Sequence, residues 1–480
     1  MLSAVVVGAG FSGLCAGIQL RRAGIEDFVI LEKGARVGGT WRENTYPGAA
    51  CDIPSHLYSY SFEPNPRWSR AYGKQAEILA YLEHCADKYG LGPHLRFGQV
   101  VDEARYDEAT STWTVRTLGG ESFVARALIL GNGALHVPSL PDVPGLASFR
   151  GVQFHSARWN HEYDLAGKRV AVIGTGASAI QFVPEIAPRV GQLHVFQRTA
   201  PWIVPKRDRA MGDRERWLLE HVPGAHWLRR TGLYWLMESR VVGFAYAPKV
   251  NDTLAALVRR FIAQQVPDPE LRAKVTPDYH FGCKRVLISN DYYPALQRPN
   301  VELVTEGIAE VTARGVRTRD GREREVDAII CGTGFQVTQY LSRIRIVGRG
   351  GVELNDAWRA TMRNYLGISV SGFPNLFLLM GPNTGLGHNS MIFMIEAQSR
   401  YAVRAIEAMR AHGLASIDVR PEVEHAFRDE LARKMKHTVW TTGCKSWYQT
   451  PSGEVFLWPG ASVDYWRRTR RVDLSDYQTG

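Results

Sequence analysis

The stretch whose reading decides the fold is Ala4-Val5-Val6-Val7-Gly8-Ala9-Gly10-Phe11-Ser12-Gly13. An apolar run stops at a glycine turn, and Leu14, Ile18 and Leu20 then continue at roughly helical spacing, which predicts a strand, a tight turn and a helix. In such a unit Gly8 permits the turn, Gly10 lets backbone approach a pyrophosphate, and Gly13 lets the helix pack on the strand. The helix N-terminus offers the phosphates free N–H groups and partial positive charge. A second apolar run, Phe28 to Leu31, ends at Glu32, about 20 residues beyond the last glycine, where a carboxylate suits ribose hydroxyls. Gly-rich turns alone open many helices that bind nothing. Strand, turn, helix, second strand and terminal acid in this order predict a dinucleotide site.

A second unit of the same kind lies downstream. Lys168 to Ile173 reads as a strand, followed by Gly174-Thr175-Gly176-Ala177-Ser178-Ala179, the G-x-G-x-x-A variant with a small third residue. Pro184 predicts a kinked or shortened helix. The next strand, Gln192 to Phe196, ends in Gln197-Arg198-Thr199, where an NAD site would present an acid. A guanidinium at Arg198 suits the 2′-phosphate of NADP, so NADPH is the expected reductant. From Pro205 to about Val275 the chain turns helical, aromatic and basic without a glycine motif, which predicts a helical insertion.

The 480 residues, 45% hydrophobic and 22% charged, fit a soluble globular protein of two or three domains. No apolar run approaches the roughly 18 to 20 residues of a membrane span, and the first strand begins too close to Met1 for a secretory leader. The expected location is cytoplasmic, with no membrane partner. Six cysteines are scattered without a C-x-x-C pair or Cys/His metal spacing, so neither structural disulfides nor a metal site are expected. The net charge of +10 is spread among acids rather than gathered in a stripe, which argues against nucleic acid and for steering of anionic nucleotides. The one compact basic run, Arg467 to Arg471, reads as a solvated or phosphate-facing terminal segment.

After Glu32 the sequence resembles FAD-binding rather than NAD-binding units, with Gly38-Gly39 giving a second close approach of backbone. The run GGTWRENTYPGAACD, Gly38 to Asp52, resembles the motif of flavin-dependent Baeyer–Villiger monooxygenases. Its matching positions are Gly39, Trp41, Tyr46, Pro47, Gly48 and Asp52, the last of which would face the flavin, and Thr40 between them is expected to bind the cofactor. A loop acid or helix cap is the alternative reading of Asp52. FRGVQFHSARWN, Phe149 to Asn160, resembles the linker fingerprint of the same family. Phe149, Gly151, His155 and Trp159 match, and Asn160 stands where the family carries Pro or Asp. Related N- and S-oxidising monooxygenases carry Tyr or Phe where this chain has Trp159. His155 is expected to orient the linker rather than exchange protons. FGCKRVLISNDYYPALQRPNVELV is similar to the family segment carrying a Lys for NADP and an Arg that reaches the flavin, here Lys284 and Arg285, with a surface basic pair as the alternative. Asp327 to Phe335 resembles the motif at which the chain returns from the NADP domain to the FAD domain. GCKSWY, Gly443 to Tyr448, resembles the family's C-terminal loop, in which Trp447 would be a lid over the nicotinamide or a core residue.

Through these motifs the chain is identified as a member of the class B flavoprotein monooxygenases, most like a type I Baeyer–Villiger monooxygenase. The resemblance implies an α/β fold of two doubly wound, Rossmann-like domains, the FAD domain split by an inserted NADP domain. The implied division is 1–145, 146–325 with a helical insertion at about 206–275, and 326–480. It also implies that a C4a-peroxyflavin inserts one oxygen atom of O2 beside a ketone carbonyl to give an ester or lactone, with Asp52 and Arg285 as the catalytic pair. An N- or S-oxygenase of the same superfamily, a disulfide reductase lacking its C-x-x-C, and a non-catalytic flavoprotein are the alternatives. Which of Tyr58, Trp68, Phe281 or Trp440 face the substrate is open, as is the oligomeric state.

Overall fold

The strand Leu2–Val7 pairs in parallel with Phe28–Glu32 on one side and Ser122–Leu130 on the other. Both of its faces are covered, which is why it reads as a continuous apolar run rather than an alternating one. The computed structural model describes residues 1–337, 341, 343–444, 446–450 and 453–480. Its first sheet runs Leu95–Phe97, Phe28–Glu32, Leu2–Val7, Ser122–Leu130, Thr112–Thr117, Val101–Asp107 and Arg345–Val347, with Leu376–Leu378 also paired to Ser122–Leu130. On one face Ala4, Val6, Ile30 and Ile129 meet the helices Phe11–Arg22, Gln75–Lys88 and Met391–His412. On the other, Val5, Val7, Leu31 and Leu130 meet Tyr106, Trp113, Val115 and Ile346.

The second sheet is wholly parallel, in the order Val301–Val304, Gln192–Phe196, Arg169–Ile173, Ala328–Cys331 and Val152–His155. This corrects the boundary at 325/326. Ala328–Cys331 sits between two strands of the second sheet and is buried throughout, so the chain returns to the first sheet only after Cys331. The helix Ala179–Ile186 contains Pro184 and ends two residues later, as a ring without an N–H requires. Beside this sheet, Ile308–Val311, Gly315–Thr318 and Glu323–Glu325 form a small antiparallel sheet turned at Asp320-Gly321.

Helices Asp213–His221, Ala225–Glu238, Val250–Gln265 and Pro269–Val275 occupy the insertion. Its two ends are closed by parallel pairing of Ile203–Val204 with Leu287–Ile288. Glu238 fastens the insertion to the C-terminal segments. Its buried carboxylate accepts hydrogen bonds from the Ser462 N–H at 2.5 Å, Ser462 Oγ at 2.7 Å and Asn389 Nδ2 at 2.6 Å, with His388 Nε2 at 3.3 Å. Burial works against the charge, and these donors overcome it, holding the Glu238 pKa at about 2.

The cysteines depart from expectation. Cys283 and Cys444, 161 residues apart, are joined as a disulfide, while Cys15, Cys51, Cys85 and Cys331 are free and buried. Spacing could not reveal the pair, because it exists only once the C-terminal loop folds back over the segment preceding Lys284. At the C-terminus, Arg468 pairs with Glu430 at 2.9 Å and Arg470 lies 4.7 Å from the Trp466 ring, so part of the terminal basic run is packed rather than free. No helix among the described residues is long and apolar enough to cross a membrane.

Titration of the air-exposed, denatured protein should count the four free thiols, and all six cysteines only after reduction; six before reduction would remove the bond. Glu238→Gln should lower urea stability at pH 7 by about 1 to 3 kcal/mol, the cost of weakening a buried charge-assisted network. Because the folded-state pKa is depressed, this contribution is present above the ordinary value of 4.5 and fades as pH falls toward 2. The difference from wild type should therefore shrink in acid.

Candidate active site

The first turn is built of bare backbone. A Cβ on Gly13 would run into the Gly8 carbonyl, and Gly8 itself adopts φ +96°, a conformation that favours glycine. Gly39 brings its backbone against Gly10, where a Cβ would lie 3.0 Å from the Gly10 Cα. The helix Phe11–Arg22 has neither a side-chain cap nor an acid in its first turn, so its N–H groups are available to an anion. Glu32 does more than the expected ribose contact. Its oxygens accept the Ala9 N–H and the Gly34 N–H, each at 2.8 Å, and Arg42 pairs with it at 2.9 Å. The carboxylate therefore locks the turn, with lone pairs left over for a ligand hydroxyl. Thr40 opens the short helix Thr40–Glu43, in which Trp41 is buried and donates through Nε1 to the Tyr58 hydroxyl at 3.2 Å. This cradle fits the diphosphate and ribose of a dinucleotide.

The second turn repeats the pattern with a different charge beyond it. A Cβ on Gly174 would come within 2.5 Å of the Gly332 carbonyl, and the space at Gly176 is open. Arg198, at the end of its strand, is exposed. Burial and the neighbouring Arg198 charge both lower the pKa of Lys284. Lys284 Nζ rests 4.6 Å from the Tyr279 ring centre. Among the described residues neither cation forms an ion pair, so two neighbouring positive charges from distant segments suit a phosphate dianion.

Between the two turns, Asp52 meets Arg285 across a sequence separation of 233. Arg285 Nε donates to Asp52 Oδ2 at 3.1 Å, and Nη2 makes a second, shorter contact to the same oxygen. Burial acts to raise the Asp52 pKa, but the Arg285 charge and hydrogen bonds bring it below the ordinary carboxylate value. Asp52 in turn raises that of Arg285. The loop bearing Asp52 is pinned to the second unit. The Tyr46 hydroxyl donates to Gln181 Oε1 at 2.9 Å, Gln181 Nε2 donates to the Ala50 carbonyl at 3.0 Å, and a Cβ on Gly48 would meet the Gln181 carbonyl at 2.6 Å. Tyr-Pro-Gly is thus a docking surface for the helix Ala179–Ile186.

Trp447 is 43% exposed and leans on Tyr448, ring centres 4.5 Å apart, which rules out the core-packing alternative. Lys445 of the same run lies outside the described residues. Tyr448 is a site residue that sequence reasoning passed over. Burial raises the pKa of its hydroxyl, and the neighbouring Arg285 acts against that shift. The signal was its place next to Trp447. His155 Nδ1 accepts the Ala157 N–H at 3.1 Å, shaping the linker turn. Asn160 Oδ1 accepts the Glu162 N–H at 3.1 Å. An Asp side chain would make the same turn, which explains why the departure from Pro or Asp is tolerated. Trp68 and Trp440 are fully buried. A cleft of about 580 Å³ opens at Asp52 between Tyr72, Ile288 and the helix Ala225–Glu238.

A family model described as pyridine nucleotide-disulphide oxidoreductase matches residues 5–211. A Baeyer–Villiger monooxygenase of Pseudomonas aeruginosa is 50% identical over 475 residues, covering 98% of this chain and 90% of that protein. Among solved structures, an oxidised steroid monooxygenase bound to NADP superposes with a TM-score of 0.90 at 34% identity over 99% of both chains. Cyclohexanone monooxygenase from Rhodococcus bound to NADP+ gives 0.91 at 31% identity over 100% of this chain and 99% of that one. With half of its residues shared across nearly its full length, and with both nucleotide turns in place, the chain belongs to the Baeyer–Villiger monooxygenases, the FAD- and NADPH-dependent oxygenases of the class B flavoproteins.

Proposed function

We propose that Asp52 and Arg285 form the oxygen-transfer site of this monooxygenase, and that its substrate is a ketone converted to an ester or lactone. The observation that carries the reading is the contact between these two side chains, with Asp52 lining the cleft. FAD would be held by Gly8, Gly10, Gly13, Glu32, Gly39, Thr40 and Trp41, and NADPH by Gly174, Gly176, Arg198 and Lys284, with Trp447 over the nicotinamide. Bound FAD supplies O2 activation and oxygen-atom transfer, with NADPH as electron source. The chain's own contribution is electrostatic. Attack on a carbonyl carbon needs an oxygen nucleophile bearing negative charge, and a fixed guanidinium beside that oxygen lowers the energy of its anionic form. Asp52 fixes the Arg285 plane and keeps the guanidinium charged, and Tyr448 closes the site from the C-terminal side. The names of the relatives, Baeyer–Villiger, steroid and cyclohexanone monooxygenase, support a carbonyl substrate. An N- or S-oxygenase would need the protonated, electrophilic oxygen instead, and a cation held at this point disfavours it.

Arg285→Ala should retain FAD and its reduction by NADPH, lose ester formation by roughly 10²- to 10³-fold, and release the consumed reducing equivalents as hydrogen peroxide. Asp52→Ala should move in the same direction, and the double variant should be little worse than Arg285→Ala, because residues acting as one unit are not additive. Ester yield and peroxide per NADPH consumed measure this, and normal coupling in Arg285→Ala would overturn the assignment. Arg198→Ala should raise the KM for NADPH about tenfold or more while changing that for NADH far less, since one charge-assisted contact contributes about 1.5 to 3 kcal/mol. Equal effects on both nucleotides would remove Arg198 from the 2′-phosphate.

A further inference from the structure

The cleft that ends at Asp52 carries more positive charge than its own carboxylates neutralise. Four arginines line it: Arg207, Arg209, Arg229 and Arg240. One carboxylate, Glu215, is shared by two of them, pairing with Arg209 at 2.7 Å and with Arg229 at 3.5 Å. Arg207 and Arg240 form no ion pair among the described residues. The nearby Asp208 is taken by Arg70 at 3.0 Å and lies 4.0 Å from Lys206, and Asp52 is taken by Arg285. Burial lowers the Arg240 pKa most, the Arg207 charge lowers it further, and Asp52 acts against both, so Arg207 and Arg240 are close enough to repel one another. His56, also on the cleft wall, adds no charge, because burial and its neighbours His226 and Arg229 hold its pKa at about 4.

The rest of the wall is apolar. Val204, Ile288, Leu233, Leu236 and Met237 line it beside these guanidiniums. An apolar passage of about 580 Å³ with two uncompensated guanidiniums matches a small amphiphilic anion. Guanidinium pairs recognise planar carboxylates by paired N–H donors.

We propose that Arg207 and Arg240 form a carboxylate-recognition site, and that the preferred substrates are ketones carrying a carboxylate, their alkyl portion lying along Leu233, Met237 and Ile288. The proposal rests on Asp52 and Arg285 marking the oxygen-transfer end of the cleft. A phosphate of NADPH is the other anion of matching chemistry. The proposed assignment gives that nucleotide the Gly174 turn and the Arg198–Lys284 pair, which leaves the cleft arginines for the second substrate.

The test compares 7-oxooctanoate with its methyl ester in the FAD-loaded enzyme, by product formation and by the perturbation each causes in the spectrum of the oxidised flavin. Wild type should bind the acid about tenfold or more tightly than the ester. Arg240→Gln and Arg207→Gln should each erase most of that preference, and the double variant all of it. Equal binding of acid and ester by wild type, or a preference that survives the double variant, would overturn the proposal. So would a rise in the KM for NADPH as large as that for the acid, which would reassign the arginines to the nucleotide. If the acid binds preferentially but neither compound yields an ester, the assignment of the oxygen-transfer site fails and the carboxylate site stands. If both yield esters without preference, the reverse holds.

Discussion

The contact between Asp52 and Arg285 is the constraint around which the two nucleotide-binding units are arranged. Each residue sits on a loop rather than within a sheet, and each is half-buried. Removing one charge would leave the other poorly solvated, a cost that commonly exceeds the net gain of the pair itself. Three further links hold the same region: the Tyr46–Gln181–Ala50 hydrogen bonds, the Cys283–Cys444 bond beside Lys284, and the Glu238 network between the insertion and the C-terminal segments. Their common effect is to fix one guanidinium relative to a dinucleotide cradle on another part of the chain. In the proposed role, a charge that stabilises a developing anion is useful only if it does not relax away, and these links would supply that rigidity.

The placement of cations separates structural from functional charge. Arg324 is buried and paired with Glu302 at 2.7 Å, and Arg42 is paired with Glu32 and Glu43. Those guanidiniums hold the fold. Arg198 with Lys284, and Arg207 with Arg240, instead stand near like charges and form no ion pairs among the described residues. Such an arrangement costs stability and is retained where an anion completes it.

Much of the fold was legible because nucleotide binding depends on backbone. Glycines at Gly8, Gly13 and Gly174 are dictated by close approach of main chain to main chain, so the residue type itself carries the structural information. The boundary after Cys331 was misplaced because a buried strand reads the same in either sheet; only its pairing with Val152–His155 and Arg169–Ile173 decides. Ile308–Val311 was missed because its short polar-apolar run carries little periodic signal. The Cys283–Cys444 bond is a long-range fact with no local signature. Asp52 and Arg285 could be named from motif resemblance, but their contact is a property of the folded chain.

The substrate cleft was the least legible part, and the reason bears on how it can change. Its walls come from the loop after Asp52, the short strands Ile203–Val204 and Leu287–Ile288, and one face of the helix Ala225–Glu238. That helix shares no backbone with either nucleotide turn. Substitutions at Leu233, Leu236 or Met237 therefore alter the shape of the passage without touching Gly10, Gly176 or the Arg198–Lys284 pair. On the proposed reading, selectivity can vary along that helix face while the Asp52–Arg285 end of the cleft stays fixed.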